Sequence, residues 1–291
     1  MRQKTLKDKV NFVKLFKHIY SIQMMCKVLK LNRSTVYKVM HHKLSNQEID
    51  RLDLESRLID LFNEFDHIYG APKLTRELAK QGYITTIKRV SKYMKRLGLR
   101  SITVKKHKPG SSSKAPDGKP NLMDQDFTTT RPNQKWVMDI TYIWTVYDGW
   151  TYLASVMDLH SKMIIGYCYD KRMKQDIVLE SLRHAVFKTK ITEGIMIQSD
   201  LGSQYLSYDV EEFLKAHGMI HSYSRKGTPY DNSPIEAFHS VIKREKLNRM
   251  ILKNYDQAKL VIFEYIEGFY NRQRIHGSIG YQIPYQVHYL K

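Results

Sequence analysis

Residues 136–169 contain three successive apolar segments, and these constrain the fold more than any other part of the sequence. The segments are WVMDITYIWTV, TYLASVMDL and MIIGYCY, all rich in Val, Ile, Tyr and Trp. Segments of this length and composition are typical of β-strands, and the pair Asp148-Gly149 between the first two is typical of a tight hairpin turn. The sequence therefore predicts three consecutive strands that pair in antiparallel fashion.

The chain after residue 170 alternates between helix and strand patterns. Helices are predicted over residues 174–188, 207–217, 233–249 and 255–271, and short strands at IMIQ and HSYS. Three strands followed by helix, strand, helix, strand and helix form a mixed α/β sheet with helices packed against it. The expected fold class is therefore α/β for this part of the chain.

The first 104 residues show helical patterns in place of strand patterns. From Ser21 to Met40, apolar residues at helical spacing are interrupted at residues 30–32, and a second helix starts at Arg33. Two short helices joined by a three-residue turn form either a helix-turn-helix, whose second helix enters the DNA major groove, or an ordinary helical hairpin. The pattern supports both interpretations, and Arg33 is the candidate DNA contact under the first.

A second pair of helical patterns extends over residues 54–98, with Pro72 suited to the first turn of a helix. The last helix of this pair presents Lys88, Arg89 and Lys92 on one face and an apolar stripe on the opposite face. The apolar stripe is predicted to pack and the basic face to contact phosphate. A basic face that only meets solvent fits the same pattern.

Net charge indicates the kind of partner. The chain carries +19, and residues 1–133 hold 28 Lys and Arg against 12 Asp and Glu, so they account for +16 of the surplus. Basic side chains that bind phosphates release counterions and gain affinity, which makes nucleic acid the expected partner. A basic surface that serves only solubility is the alternative.

Composition changes along the chain predict five segments. Residues 105–133 are rich in Pro, Gly, Ser and Lys without a hydrophobic period, which is typical of a linker. No apolar stretch is long enough to cross a membrane, and the two cysteines form no CxxC pair, so a cytoplasmic, nucleoid-associated protein without a zinc site is expected. The predicted organisation is a helix-turn-helix at 1–45, a second helical DNA-binding domain at 46–104, a basic linker at 105–133, a strand-rich core at 134–252, and a C-terminal helix and tail at 253–291.

Three acidic residues occupy positions suited to chemistry. Asp139 lies within an apolar strand, where a carboxylate is costly unless a cation or hydrogen bonds compensate it; Asp200 follows the IMIQ strand, and Glu236 opens a helix. Alone, each has an ordinary explanation: a hydrogen-bonded core acid, a turn residue, and the third residue of a capping box. Together they are separated by 60 and 35 residues, and carboxylate oxygens are the ligands of the Mg²⁺ ions used in phosphodiester chemistry.

The spacing of these acids resembles the catalytic core of retroviral integrases and bacterial insertion-sequence transposases, where a basic residue, here Lys243, follows the Glu by seven positions. The flanking strings WxxDITY, SDxGSQY and GxPxDNSxxExF resemble those of the second-reading-frame transposases of copy-out, paste-in insertion sequences. The later string YNxxRxH, which contains Arg274, resembles the end of that family. The resemblance extends over nearly the whole chain.

The resemblance implies an RNase H-like integrase catalytic core preceded by all-α helix-turn-helix segments. It implies a DNA transposase in which Asp139, Asp200 and Glu236 hold two Mg²⁺ ions, with Mn²⁺ as a substitute. An activated water then frees the 3′ end of the element, and that end attacks a second phosphodiester. Lys243 is implied to contact DNA, as is Arg274, for which a structural brace is the alternative. The implied partners are the terminal repeats, target DNA, an upstream-frame protein and further copies of this chain.

The sequence departs from the family pattern at two positions, and two other functions remain as alternatives. Gln198 stands where the family usually has His, and His239 stands where an aromatic residue usually follows Phe238. Neither change removes a metal ligand. Gln198 is expected to affect the rate of the reaction more than the presence of activity. A nuclease that cuts RNA in hybrids would not need the helical front, and a non-catalytic repressor derived from a transposase would be expected to have lost at least one of the three acids.

Overall fold

The computed structural model describes residues 5–41, 43–102, 119–190 and 194–290. Residues 105–118 of the predicted linker lie outside the described residues. The chain divides into two compact units, Met1–Asp60 and Leu61–Lys291. The boundaries of the five predicted segments stay predictions.

The first unit is built from helices around a small apolar core. Thr5, Ser21 and Asn32 each cap a helix, because their side chains accept a hydrogen bond from a backbone N–H of the first turn. The turn predicted at residues 30–32 separates the second and third helices. The helices are α1 (Leu6–Phe16), α2 (Ile22–Val28), α3 (Arg33–Met40) and the first part of α4 (Asn46–Glu64), and the core comprises Val10, Val13, Met25, Cys26 and Val36.

The second unit contains the remaining elements. In chain order they are α5 (Ala71–Lys80), α6 (Ile87–Arg96), β1 (Lys135–Thr145), β2 (Gly149–Asp158), β3 (Ile164–Asp170), α7 (Gln175–Thr189), β4 (Met196–Ser199), α8 (Tyr208–Ala216), β5 (Ile220–Tyr223), α9 (Ser233–Glu245), α10 (Tyr255–Phe263) and α11 (Pro284–Tyr289). A π-helix, Glu264–Tyr270, continues α10. Across the described ranges, no helix is both long and apolar enough to span a bilayer.

The five strands form one mixed sheet in the order β3-β2-β1-β4-β5. β1, β2 and β3 pair antiparallel, whereas β4 lies parallel to both β1 and β5. The prediction of three consecutive antiparallel strands followed by alternating helices and strands is confirmed. This order and these directions are those of an RNase H-like sheet, so the predicted fold class is also confirmed.

Helices cover both faces of the sheet because alternate residues of β1 point to opposite sides. Val137 and Ile143 belong to a core shared with α9 and α10. Trp136 and Met138 belong to a second core shared with α7 and α8, and the Trp136 indole N–H donates to Asn133 Oδ1 at 3.1 Å. The first part of the central strand is therefore packed on both faces.

The helical segment before the sheet is attached to the C-terminal part of the same unit. The Arg249 guanidinium donates to the Asp66 carboxylate at 2.6 Å, and the backbone N–H of Ile275 donates to the Tyr69 hydroxyl at 3.0 Å. Tyr69 is fully buried. Contacts so far apart in sequence tie this helical segment to the end of the chain.

Gly166 of β3 marks the closest approach between the sheet and α7. A Cβ atom at this position would lie 2.1 Å from the backbone oxygen of Ser181 and 2.8 Å from the Ala185 side chain. Such a contact is shorter than any real carbon–oxygen contact, so only glycine lets α7 pack this close to β3.

Replacing Gly166 with Ala is expected to lower the free energy of unfolding by about 3 kcal/mol, because α7 must move away from β3. Urea unfolding followed by circular dichroism measures this change. Gly268→Ala is the matched control, since a Cβ there meets nothing within 4 Å among the described residues. Equal stability of the two variants would contradict the close approach.

Candidate active site

The parallel pairing of β1 with β4 sets the position of two of the candidate acids. Val137 is paired with Gln198, and the two strands run in the same direction. Asp139 and Asp200 each lie two residues beyond that pair, so the register brings them to the same edge of the sheet. β4 ends at Ser199 while β1 continues to Thr145. The space beside Asp139 is therefore open where β4 stops.

The third acid, Glu236, lies on α9 over the same point of β1. Asn232, at the start of this helix, donates from Nδ2 to the backbone oxygen of Met138 at 3.0 Å. His239 Nδ1 lies 3.4 Å from Asp139 Oδ2. Glu236 and His239 are three positions apart on α9, so their side chains are neighbours on the helix surface.

The electrostatics of the site show that Asp139 acts on both other acids. The carboxyl groups of Asp200 and Glu236 reach solvent, yet protein around them restricts their hydration. That partial burial, followed by the negative charge of Asp139, raises the pKa of both carboxyl groups. The Gly202 N–H donates to Asp200 Oδ1 at 2.9 Å and opposes the rise at Asp200. The cluster therefore has an excess of negative charge.

The donor set suits hard divalent cations, although its ligands are not already assembled. Carboxylate oxygens bind Mg²⁺, and mutual repulsion among carboxylates is relieved when a cation binds. Within the described ranges, no group of three or more His, Cys, Asp and Glu side chains is close enough together to hold a metal ion. The structure thus brings Asp139 within electrostatic reach of Asp200 and of Glu236, and leaves the three acids short of a formed ligand cluster.

Two other groups lie within electrostatic reach of the acids. Burial lowers the pKa of the half-buried Lys243, and the charge of Asp139 opposes this effect. The Tyr205 hydroxyl is fully buried and has no hydrogen-bond partner among the described residues. Burial, then the charges of Asp139 and Asp200, raises the Tyr205 pKa. The Lys243 ammonium group and the neutral Tyr205 hydroxyl therefore lie near the acids.

Other acids near the sheet are buried and are hydrogen-bonded to groups of the protein. Asp158 is fully buried, and its carboxylate accepts hydrogen bonds from Ser161 Oγ at 2.6 Å and from the Asn133 N–H at 2.9 Å. Burial by itself would raise the Asp158 pKa, but bonds from His288 and Ser161 outweigh it and hold the pKa below its usual value. Asp231 is likewise buried and is bound by the Arg225 guanidinium at 2.8 Å. Their charges are compensated inside the protein.

Arg274, a candidate DNA contact, is buried in an ion pair. Its guanidinium donates to Glu245 through two bonds of 2.8 and 2.6 Å, and the Tyr265 hydroxyl donates to the same carboxylate at 2.7 Å. The partner Glu245 is the last residue of α9. This arrangement favours the alternative interpretation of Arg274 as a brace between α9 and the C-terminal segment.

The other candidate DNA contacts lie on the surface of helices. Arg33 is exposed at the first position of α3, and its guanidinium lies 5.6 Å from the centre of the Tyr37 ring. Lys88 and Lys92 are exposed and Arg89 is half-buried on α6, whose Val90 and Met94 are buried. The predicted division of α6 into a packed face and a basic face is confirmed.

Asn232 and Tyr205 are parts of the site for which the sequence analysis assigned no role. Each belongs to a string that was matched to the family, but neither residue type by itself suggested chemistry. His239 had been noted only as a departure from the family pattern, and its ring contacts Asp139. Gln198, the other departure, is fully buried and donates to Ser224 Oγ at 3.1 Å. Gln198 lies two residues before Asp200, and its bond to Ser224 supports the loop before α9.

Comparison with known protein families agrees with this geometry. Residues 129–229 and residues 217–284 both match families described as integrase core domain. Residues 48–107 match a family described as HTH-like domain. The first two matches contain all three candidate acids.

Individual relatives match nearly the whole chain. The 31 kDa protein of insertion element IS600 from Shigella sonnei is 37% identical over 260 residues, covering 88% of this chain and 94% of its own length. The InsF transposase of insertion sequence IS3A from Escherichia coli is 35% identical over 280 residues, covering 94% of this chain and 96% of its own. The solved HTLV-2 integrase catalytic core in complex with magnesium aligns with 56% of this chain and with 100% of its own chain, at 17% identity and a TM-score of 0.43.

The two kinds of acid are expected to differ in their effect on stability. Without divalent cations, Asp139→Asn should leave the urea unfolding midpoint unchanged or raise it, because it removes the charge that raises the pKa of Asp200 and Glu236. Asp158→Asn should lower the free energy of unfolding by about 3 kcal/mol, since a buried acceptor of several hydrogen bonds is lost. Urea titrations in EDTA at neutral pH compare the variants, and an equal loss in both would contradict this distinction.

Proposed function

The chain belongs to the family of insertion-sequence transposases, which are polynucleotidyl transferases with an integrase core, and we propose that Asp139, Asp200 and Glu236 are its catalytic acids. The proposed reaction cleaves DNA at the 3′ end of an insertion sequence and transfers that end to target DNA. The observation that carries this proposal is the parallel register of β1 and β4, which sets Asp139 beside Asp200 under the helix of Glu236.

Two Mg²⁺ ions, or Mn²⁺ ions in their place, would be held by these carboxylates and would supply the positive charge that activates the attacking oxygen and stabilises the leaving oxygen. The residues of the chain hold the acids in position. Asn232 fixes the start of α9 on the backbone of β1, and the Gly202 N–H orients the Asp200 carboxylate. Ligands held by such supporting bonds need less rearrangement when a substrate binds.

The same proposal assigns DNA contacts to basic residues on three helices. Lys243 lies on the face of α9 that carries Glu236, where its ammonium group can meet a phosphate close to the bond that is cleaved. Lys88, Arg89 and Lys92 on α6, together with Arg33 on α3, would also contact the DNA backbone. Arg274 is proposed to stabilise α9 through Glu245.

Further partners are proposed from the family. The DNA partners are the terminal repeats of the element and the target. A reaction that joins two element ends to one target needs more than one active site, so we propose that several copies act together, with an upstream-frame protein as an additional partner. The protein would then act on the DNA of the nucleoid.

Asp139→Asn is expected to reduce Mg²⁺-dependent cleavage and joining of labelled end sequences by at least about a thousandfold, or about 4 kcal/mol of transition-state stabilisation. DNA binding should be retained, because the helices that carry the basic residues are unchanged. Gel assays of cleaved and joined products measure the first effect, and a mobility shift measures the second.

Asp256→Asn is the matched control for this assay. Asp256 is an exposed acid in the first turn of α10, and its replacement should leave the rate unchanged. Strand transfer retained by Asp139→Asn would overturn the assignment of the catalytic acids.

The double variant Lys88→Gln and Lys92→Gln is expected to weaken binding to duplex DNA of any sequence. If each lysine neutralises one phosphate, the slope of log affinity against log salt concentration should become shallower by about 1.8. Fluorescence anisotropy over a salt series measures the slope, with Lys259→Gln of α10 as the control. An unchanged slope would remove α6 from the DNA interface.

A further inference from the structure

Aromatic side chains gather on the outer part of the β1–β2 hairpin without being buried. Tyr142 is 48% exposed, and Trp144 and Trp150 are each 55% exposed. Trp144 and Trp150 lie 5.1 Å apart at 74°, and Tyr142 meets Trp150 at 87°. Edge-to-face contacts of this kind leave ring faces open to a further flat group. Large aromatic residues are usually found in cores, so three exposed ones in contact mark a binding surface.

These rings line one side of a cavity that is shared with α9 and the segment after it. The cavity has a volume of about 430 Å³ and is lined by residues that include Tyr142, Trp144, Trp150, Lys243, Met250 and Ile251. We name it the hairpin pocket. Lys243 connects the pocket to the acids, because it lines the pocket and also lies within electrostatic reach of Asp139. The pocket and the candidate active site are therefore neighbours.

The distance between the pocket and the acids can be estimated along β1. Asp139 and Tyr142 are three residues apart on one strand, which corresponds to about 10 Å. Stacked nucleotides rise about 3.4 Å each, so the same distance covers about three nucleotides of one strand. Tyr142 and Trp144 leave β1 on the face opposite to Asp139, because alternate residues of a strand point to opposite sides. The link between the rings and the acids is therefore Lys243, which lines the pocket from α9.

We propose that the hairpin pocket binds an unpaired nucleobase of the DNA strand whose phosphodiester lies at the acids. This inference rests on the proposed function and names a base-binding site next to it. Base stacking on aromatic rings is favourable for every base because each has a flat face. Lys243 supplies the matching charge for the phosphate attached to that base. An apolar protein segment in the same pocket would instead bury the Lys243 charge without a partner.

A base bound in the pocket would restrain the DNA strand during the reaction. Bases in a duplex are stacked and paired, so a base in the pocket must leave its partner, at a cost of a few kcal/mol. Stacking on Trp144 and Trp150 offsets part of that cost. The opened strand is then held by a base on one side and by Lys243 on the other, which restrains the phosphodiester beside Asp139.

The test uses two duplexes of one sequence, one fully paired and one with three mismatched nucleotides at a 3′ end, each with 2-aminopurine among those three. Stacking on an aromatic ring quenches 2-aminopurine fluorescence. In EDTA, where no chemistry occurs, the parent protein is expected to quench the mismatched probe. Trp144→Ala should lose this quenching and bind the mismatched probe about tenfold more weakly, with unchanged affinity for the paired probe.

Two further variants make the result specific to the pocket. Trp144→Phe keeps a flat ring and should retain part of the quenching. Tyr147→Ala removes a side chain that is 76% exposed in the same hairpin but does not line the pocket, and it should behave like the parent. Circular dichroism melts check that each variant is folded.

The proposal is overturned if Trp144→Ala quenches as the parent does, or loses affinity for both probes equally. It is also overturned if this variant changes only self-association in sedimentation, which would identify the pocket as a contact between protein copies. Asp139→Asn separates this test from the proposed function. Quenching by that variant without joining supports both, whereas joining by it refutes the catalytic acids and leaves the quenching result to judge the pocket.

Discussion

The parallel pairing of β1 with β4 is the constraint on which the rest of this structure depends. It extends over only three residue pairs and then stops, so that two acids just beyond it meet at an open edge. Holding carboxylates close together costs free energy, because each disfavours ionisation of the others. The fold offsets this cost elsewhere, through apolar cores on both faces of the central strand. The packed cores thereby stabilise a fold in which the negative charges of the site are not neutralised by other groups of the protein.

The contrast among the acids shows how the protein separates structural from chemical roles. Asp158, Asp231 and Glu245 are buried and receive hydrogen bonds or guanidinium groups from within the chain. Asp200 and Glu236 instead feel the repulsion of Asp139, and their carboxyl groups reach solvent. A carboxylate compensated by the protein has little to gain from a cation. A carboxylate that the protein does not compensate gains the full interaction with a bound cation. Asp200 and Glu236 are of this kind, so they suit metal binding.

Helix α9 joins the parts of the second unit that matter for function. Its N-terminal end is fixed to β1 by Asn232, its first two turns carry Glu236 and His239, and its last residue holds the Arg274 brace. Lys243 lies between these ends and borders the hairpin pocket. The segment around Tyr69 is bound close to the same brace through the backbone of Ile275. A displacement of this helix would therefore disturb the acids and the proposed base pocket together.

The sequence alone determined the elements and the order in which they follow each other. Segments rich in Val, Ile, Tyr and Trp over residues 136–169 predicted three antiparallel strands, and the spacing of Asp139, Asp200 and Glu236 identified the candidate acids. Local patterns carry this information, because strand and helix periods depend on near neighbours. The helical period likewise predicted the basic face of α6.

Only the tertiary structure decided which charged groups are compensated and which surfaces stay open. No local pattern shows that Arg274 meets Glu245, that Asn232 reaches the backbone of Met138, or that Trp144 and Lys243 line one cavity. The partners in these contacts lie between 29 and about 100 residues apart in the chain. They become neighbours only when the sheet and its helices pack, since burial and pairing are properties of the assembled fold rather than of any segment.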